Sequence, residues 1–247
     1  MLLKSKTAVV TGCNKGIGKK ILEVFSANGA TVFACVRNID EKFEFFLNEL
    51  KQEFNNQIIP IQFDLNDESQ IKDAANSILS SNSSIDILVN NAATIHTALF
   101  QMTSIKKLKE LFETDFFSQT LFTQYILKSM IKKKSGSILY ISSSSALDGN
   151  EGRSAYSSAK AAMIVQAKVL SREVGIYNIR VNAIAPGLTN TDMMRKNTPE
   201  EILNEVTSRI SLKRIANPEE IANVVLLLSS NLTSYITGQV IRVDGGM

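Results

Sequence analysis

Thr11-Gly12-Cys13-Asn14-Lys15-Gly16-Ile17-Gly18 stands between two different patterns. Ahead of it, residues 7–10 are a short β-type run; behind it, residues 18–28 carry apolar side chains at helical spacing. Three glycines between a strand and a helix suit a phosphate-wrapping turn. Gly12 suits the tight turn, Gly16 a close approach of backbone to a pyrophosphate, and Gly18 close packing of helix on strand. The helix N-terminus then faces negative charge. Three glycines alone also describe an ordinary Gly-rich turn; their place after a strand and before a helix points to a dinucleotide.

The same alternation continues outward. Residues 31–36, 58–63, 85–89, 137–141, 179–184 and 240–243 read as strands. Residues 41–54, 69–79, 105–131, 155–174 and 218–229 read as helices, the last with Pro218 at its start. Strands alternating with helices along a whole chain predict an α/β fold. The expectation is a single-domain, Rossmann-type, doubly wound parallel sheet over residues 1–247, with helices on both faces. Residues 187–212 are the least regular stretch and follow a strand end, where such sheets bind ligands, so they are read as a substrate lid.

The bulk numbers exclude several alternatives. The 247 residues are 44% hydrophobic and 21% charged, ordinary values for a globular chain. Against 24 acidic residues stand 27 basic ones, and a net charge of +3 does not argue for nucleic acid or membrane partners. Cys13 and Cys35 form no disulfide framework, and the single histidine, His96, rules out a His-based metal cluster, so no metal is expected. Cys13 lies in the glycine turn, where a reactive thiol would let thiol reagents block binding and an inert one simply fits. The start, Met-Leu-Leu-Lys-Ser-Lys, lacks a signal-peptide core, and a cytoplasmic location is expected.

The second strand runs into Ala34-Cys35-Val36-Arg37-Asn38, with no carboxylate before Asp40. NAD binders place an acid there for the ribose hydroxyls. Arg37 and Lys15 instead suit a 2′-phosphate, so NADP(H) is expected over NAD(H), although both residues also suit a solvated surface. Farther on, Tyr156-Ser157-Ser158-Ala159-Lys160 puts a phenol and an ammonium at i and i+4 on one helix face. A nearby ammonium lowers a phenol's pKa and eases proton exchange. Ser143, thirteen residues before Tyr156 at a strand end, is placed to hold a substrate carbonyl. Tyr-x-x-x-Lys by itself is common in packing, and Ser143 also sits in a serine-rich turn.

Taken together, these features resemble the short-chain dehydrogenase/reductases from about Lys6 to Gly246. The resemblance is carried by the glycine turn, Asp64-Leu65, Asn90-Asn91-Ala92-Ala93, Ser143, Tyr156 with Lys160, and Pro186-Gly187 followed by Thr191. Gly149-Asn150-Glu151-Gly152, Val181 to Gly187, Pro218-Glu219-Glu220 and the ending Val243-Asp244-Gly245-Gly246 are most similar to the 3-oxoacyl-(acyl-carrier-protein) reductases. The resemblance implies that Tyr156 donates a proton, Lys160 lowers its pKa and holds the nicotinamide ribose, and Ser143 holds the carbonyl. It implies that Asp64 and Leu65 sit by the adenine, that Asn91 and Ala92 flank the cofactor, and that Ile184, Pro186, Gly187 and Thr191 line the nicotinamide amide. A homotetramer is implied as well, paired through the Tyr156 helix with the long helix before it and through the C-terminal strand.

The chain departs from the family at Asp115, where the family's fourth catalytic residue is an asparagine that helps hold a water-linked proton path to the lysine, partly through its backbone carbonyl. A carboxylate there is expected to leave activity in place at a reduced level. Ala93 replaces the usual glycine. Lys132, Lys133 and Lys134 suit an acidic carrier or, equally, the negative end of a helix dipole. Tyr177 stands where carrier-protein reductases often have a basic residue. The leading expectation is NADPH-dependent reduction of a carrier-linked 3-oxoacyl thioester. A sugar, polyol or secondary-metabolite carbonyl is the alternative, and an NADP-binding sensor without turnover is the alternative from another class.

Overall fold

In the computed structural model, which describes residues 1–81 and 84–247, one parallel seven-stranded sheet gathers strands from Thr7 to Val243. The strands are β1 (Thr7–Thr11), β2 (Thr31–Val36), β3 (Ile58–Gln62), β4 (Ile87–Asn90), β5 (Gly136–Ile141), β6 (Ile179–Pro186) and β7 (Val240–Val243), in the spatial order β3-β2-β1-β4-β5-β6-β7. The helices between them begin with α1 (Gly16–Ala27), α2 (Glu41–Phe54) and α3 (Glu68–Ser80). Next come α4 (Ile105–Phe112), α5 (Ser118–Lys133), the short α6 (Ser145–Asp148) and α7 (Ser154–Val174). After β6 lie α8 (Asp192–Asn197), α9 (Glu200–Arg209) and α10 (Pro218–Ser229).

Strand periodicity builds two cores. Ala8 and Val10 of β1 and Val32, Ala34 and Val36 of β2 face α1, α2 and α10. Val9, Phe33 and Cys35 point the other way, toward α3, α5 and α7. Both faces are covered, so the strands are apolar nearly throughout, as parallel sheets require. Local signals fix the helix starts: the Asp40 carboxylate accepts from the Phe43 N–H at 2.8 Å, and Glu220 accepts from the Asn217 N–H at 2.8 Å ahead of Pro218. Capping α2 is what Asp40 does here.

The chain runs from β1 outward to β2 and β3, then crosses back to place β4 on the other side of β1. That reversal opens a crevice beyond the C-terminal ends of β1 and β4, the usual ligand position in such sheets. No helix among the described residues is long and apolar enough to cross a membrane.

Two expectations change. The helix read over 105–131 is three pieces, because Glu113–Phe117 is a π-helical turn between α4 and α5. Helical periodicity cannot register one wide turn inside an otherwise continuous pattern, and such turns often mark functional sites. The lid at 187–212 is not irregular but mostly α8 and α9. Short polar helices resting on a cavity lack the wide apolar stripe that betrays a helix in sequence.

Candidate active site

At the end of β1 the backbone turns through Gly12 at φ +67°, and a methyl there would lie 2.8 Å from the Ala92 Cα. Gly16 also has positive φ. At Gly18 a methyl would collide with the Gly12 carbonyl and the Asn91 amide. Asn91 explains the tightness: its Nδ2 donates to the carbonyls of Thr11 and Gly12 at 2.9 and 3.0 Å. The Thr11 hydroxyl in turn accepts the Asn91 and Ala92 N–H groups at 2.9 and 3.1 Å. The turn is thus riveted to the end of β4, and the first turn of α1 holds no acidic side chain.

This turn floors a cavity of about 950 Å³. Its wall includes Gly12, Asn14, Lys15, Gly16, Ile17 and Gly18, then Arg37, Asp64 and Leu65, then Asn91 and Ala92. Ser143, Tyr156, Lys160, Pro186, Gly187 and Thr191 complete the far side. Asp115 does not line it. Ile184, expected beside the nicotinamide amide, is fully buried in the core instead, because it alternates inward on β6. His96 does not line the cavity either. Lys15 and Arg37 are both exposed, and neither has an ion-pair partner among the described residues. A glycine floor that side chains would fill, an open helix N-terminus and two free cations fit a phosphate-rich dinucleotide.

At the chemical end, β5 stops at Ile141 and the chain bends through the serines. The Ser142 hydroxyl donates to the Lys160 carbonyl at 2.9 Å, and Lys160 Nζ donates to the Ile141 carbonyl at 3.0 Å. These bonds lock α7 onto the end of β5. Ser143 Oγ lies 3.0 Å from Ser145 Oγ and accepts the Ser145 N–H at 3.2 Å. The Lys160 ammonium sits 5.8 Å from the centre of the Tyr156 ring.

The electrostatics depart from the expectation that Lys160 lowers the Tyr156 pKa. Tyr156 is pushed up to about 12, first by burial and then by the Asp115 carboxylate. The Ser143 hydroxyl and the charge of Arg153 act in the opposite direction. Burial also pushes Lys160 down, against the pull of Asp115. Asp115 sits in the π turn, fully buried, with Oδ2 3.7 Å from Lys160 Nζ. That is ion-pair range and longer than a hydrogen bond. Asp115 Oδ1 accepts from the Thr94 N–H and hydroxyl at 2.8 and 3.1 Å. Burial raises the Asp115 pKa, and Lys160 and Thr94 oppose the rise.

Three residues that sequence reading passed over shape this end. Arg153, one turn before Tyr156, donates from Nη2 to the Asn197 carbonyl at 3.0 Å and so pins the lid to the start of α7. Gln119 donates to the carbonyls of Ala92 and Asp115 at 2.6 and 3.3 Å. Thr94 holds Asp115. Spacing alone could have flagged Arg153; nothing in the sequence joins Thr94 or Gln119 to Asp115, since the π turn creates that contact. Elsewhere, Cys13 is fully buried with its thiol pushed far up by desolvation, which leaves it inert and merely well fitted. In the lysine triplet, Lys133 pairs with Asp86 at 2.6 Å, at the sheet end opposite the cavity. Within one chain, then, the triplet does not border the site.

Comparison with known proteins agrees with this geometry. A family model described as enoyl-(acyl carrier protein) reductase matches residues 12–247. A 3-oxoacyl-(acyl-carrier-protein) reductase FabG of Chlamydia trachomatis is 38% identical over 246 residues, covering 100% of this chain and 98% of the relative. A 3alpha-hydroxysteroid dehydrogenase of Mediterraneibacter gnavus is 35% identical, covering 99% and 98%. Among solved structures, a protein from Beutenbergia cavernae, named for NAD(P)-dependent gluconate 5-dehydrogenase activity and holding NADP at low occupancy, superimposes with a TM-score of 0.89. It is 30% identical, over 99% of this chain and 97% of that one.

Proposed function

The chain belongs to the short-chain dehydrogenase/reductase family, and from that premise we propose that it is an NADPH-dependent reductase of 3-oxoacyl thioesters carried on acyl carrier protein. The observation that carries the reading is that Ser143 and Tyr156 line the same cavity as the glycine cradle. Two hydroxyl donors in one cavity suit an oxygen that gains charge, and they favour a carbonyl over the carbon–carbon double bond that the family model's description suggests. Carbonyl reduction of this kind is what the Chlamydia relative is named for.

The chemistry that NADPH supplies when bound is a hydride. Gly12, Gly16 and Gly18 with Asn14 and Ile17 would hold its pyrophosphate, Arg37 and Lys15 the 2′-phosphate, and Asp64 and Leu65 the adenine. Pro186, Gly187 and Thr191 would border the nicotinamide, with Asn91 and Ala92 at the strand ends. On the substrate, the Ser143 hydroxyl donates to the carbonyl oxygen and fixes it. The Tyr156 hydroxyl donates its proton to the same oxygen as charge develops there. Lys160, bonded to the Ile141 carbonyl, positions that end of α7. The lid helices, whose Ile202 and Val206 line the cavity, would shield the substrate oxygen from water.

Residues 1–247 are proposed to work as one cytoplasmic NAD(P)-binding domain. A homotetramer is supported by apolar side chains that one chain leaves open: Val165 and Val169, one turn apart on α7, and Ile105 and Phe117 on the helices before it. β7 is a half-exposed edge strand. Steroid or sugar carbonyls are the second reading, favoured by the 35% identical hydroxysteroid relative. The test is NADPH oxidation with acetoacetyl-CoA and acetoacetyl-carrier protein beside a steroid and sugar-acid panel. Turnover confined to the thioesters supports the first reading. Turnover confined to the panel replaces it, and binding of NADPH without turnover of anything leaves a sensor.

A further inference from the structure

Asp115 is a buried carboxylate with one idle oxygen beside a catalytic ammonium. Oδ1 is occupied by Thr94, whereas Oδ2 has no hydrogen-bond partner and faces Lys160 Nζ at 3.7 Å. The Asp115 backbone carbonyl, through which the family's asparagine serves its proton path, is within hydrogen-bonding reach of Gln119 Nε2 at 3.3 Å. Lys160 thus faces a carboxylate side chain. Both charges are essentially sealed from solvent, so water does little to screen them.

The consequence follows from Coulomb's law. A lone ammonium beside Tyr156 would favour its phenolate. An ammonium paired with a carboxylate is a neutral unit, and its positive field at the phenol is largely cancelled. We propose that the Asp115 carboxylate cancels the charge of Lys160 at Tyr156 and so keeps Tyr156 in its proton-donating form, committing the site to carbonyl reduction and moving alcohol oxidation to alkaline pH. Asp115 is thus a positioning residue: it acts through Lys160 and Tyr156 and stands outside the cavity. The charged groups that face Tyr156 are Asp115 from the π turn, Lys160 from α7 and Arg153 ahead of α7; Ser143, after β5, contributes only a hydroxyl. The upward displacement of the Tyr156 pKa, which burial causes first and the Asp115 carboxylate second, accords with this arrangement. The inference rests on the reductase reading for its meaning, but the charge arrangement is testable without any substrate.

The chain has no tryptophan and five tyrosines, so tyrosinate absorbance reports on phenol ionisation with little interference. Titrating the protein against Tyr156→Phe isolates the Tyr156 signal. Asp115→Asn keeps the shape and an acceptor for Thr94, and is expected to lower the Tyr156 midpoint by roughly one pH unit or more. Lys160→Met, which leaves the carboxylate uncompensated, is expected to raise it. An unchanged midpoint in Asp115→Asn, or a fall in Lys160→Met, overturns the proposal; if one variant fails to fold by circular dichroism, the other decides. In the thioester assay, the alkaline limb of the reduction profile should move to lower pH in Asp115→Asn. Absence of thioester turnover in both proteins would sink the substrate reading alone, because the absorbance titration stands apart from it.

Discussion

Arg37 and Lys15 are the two side chains proposed to select the cofactor. Both are exposed at the cavity wall, and no carboxylate pairs with either among the described residues. A guanidinium offered to a 2′-phosphate makes charge-assisted, two-pronged bonds. Arg37→Ala is therefore expected to raise the KM for NADPH by about tenfold or more and to leave that for NADH nearly unchanged. Equal losses for both cofactors would assign Arg37 to the fold instead. At this scale the sequence was informative about identity and silent about ionisation. The i, i+4 spacing of Tyr156 and Lys160 was legible because a helix guarantees the shared face. The direction of the Tyr156 shift was not, since it depends on desolvation and on a carboxylate 41 positions away in the chain.

Strand, turn and helix act as one unit around Gly18. The riveting of Asn91 to Thr11 and Gly12 leaves no room for a Cβ between α1 and the turn. Gly18→Ala must push backbone against backbone, and about 1–3 kcal/mol of stability should be lost. Thermal unfolding checks this: a clear fall in Tm together with weakened NADPH binding is expected, and an unchanged Tm would mean that the turn relaxes freely. Elements with full apolar stripes or bounded β runs were legible in the sequence, α1, α2, α10 and the strands among them. The π turn and the lid helices were not. A π turn differs from a long helix by one residue of register, and α9 buries no residue that periodicity could find.

Across the whole molecule, the sheet order explains why residues as distant as Gly12, Arg37, Asp64, Ser143 and Tyr156 share one cavity. All lie at or beyond C-terminal strand ends, or on the helix locked to β5. Alternation of strands and helices made that architecture legible, whereas the separation of the Lys132–Lys134 end from the cavity required the strand directions. The open apolar residues on α4, the π turn and α7 lead to the expectation of a tetramer mass by light scattering; a monomer would contradict the pairing through α7. The central claim, that Tyr156 and Ser143 reduce a carrier-linked 3-oxoacyl thioester, is tested most directly by following NADPH fluorescence with acetoacetyl-carrier protein for the wild type and for Tyr156→Phe. The account predicts steady oxidation in the wild type and a loss of about 10²-fold or more in the variant, with NADPH still bound. Equal rates in the two proteins, or no oxidation by a wild type that binds NADPH tightly, would contradict it.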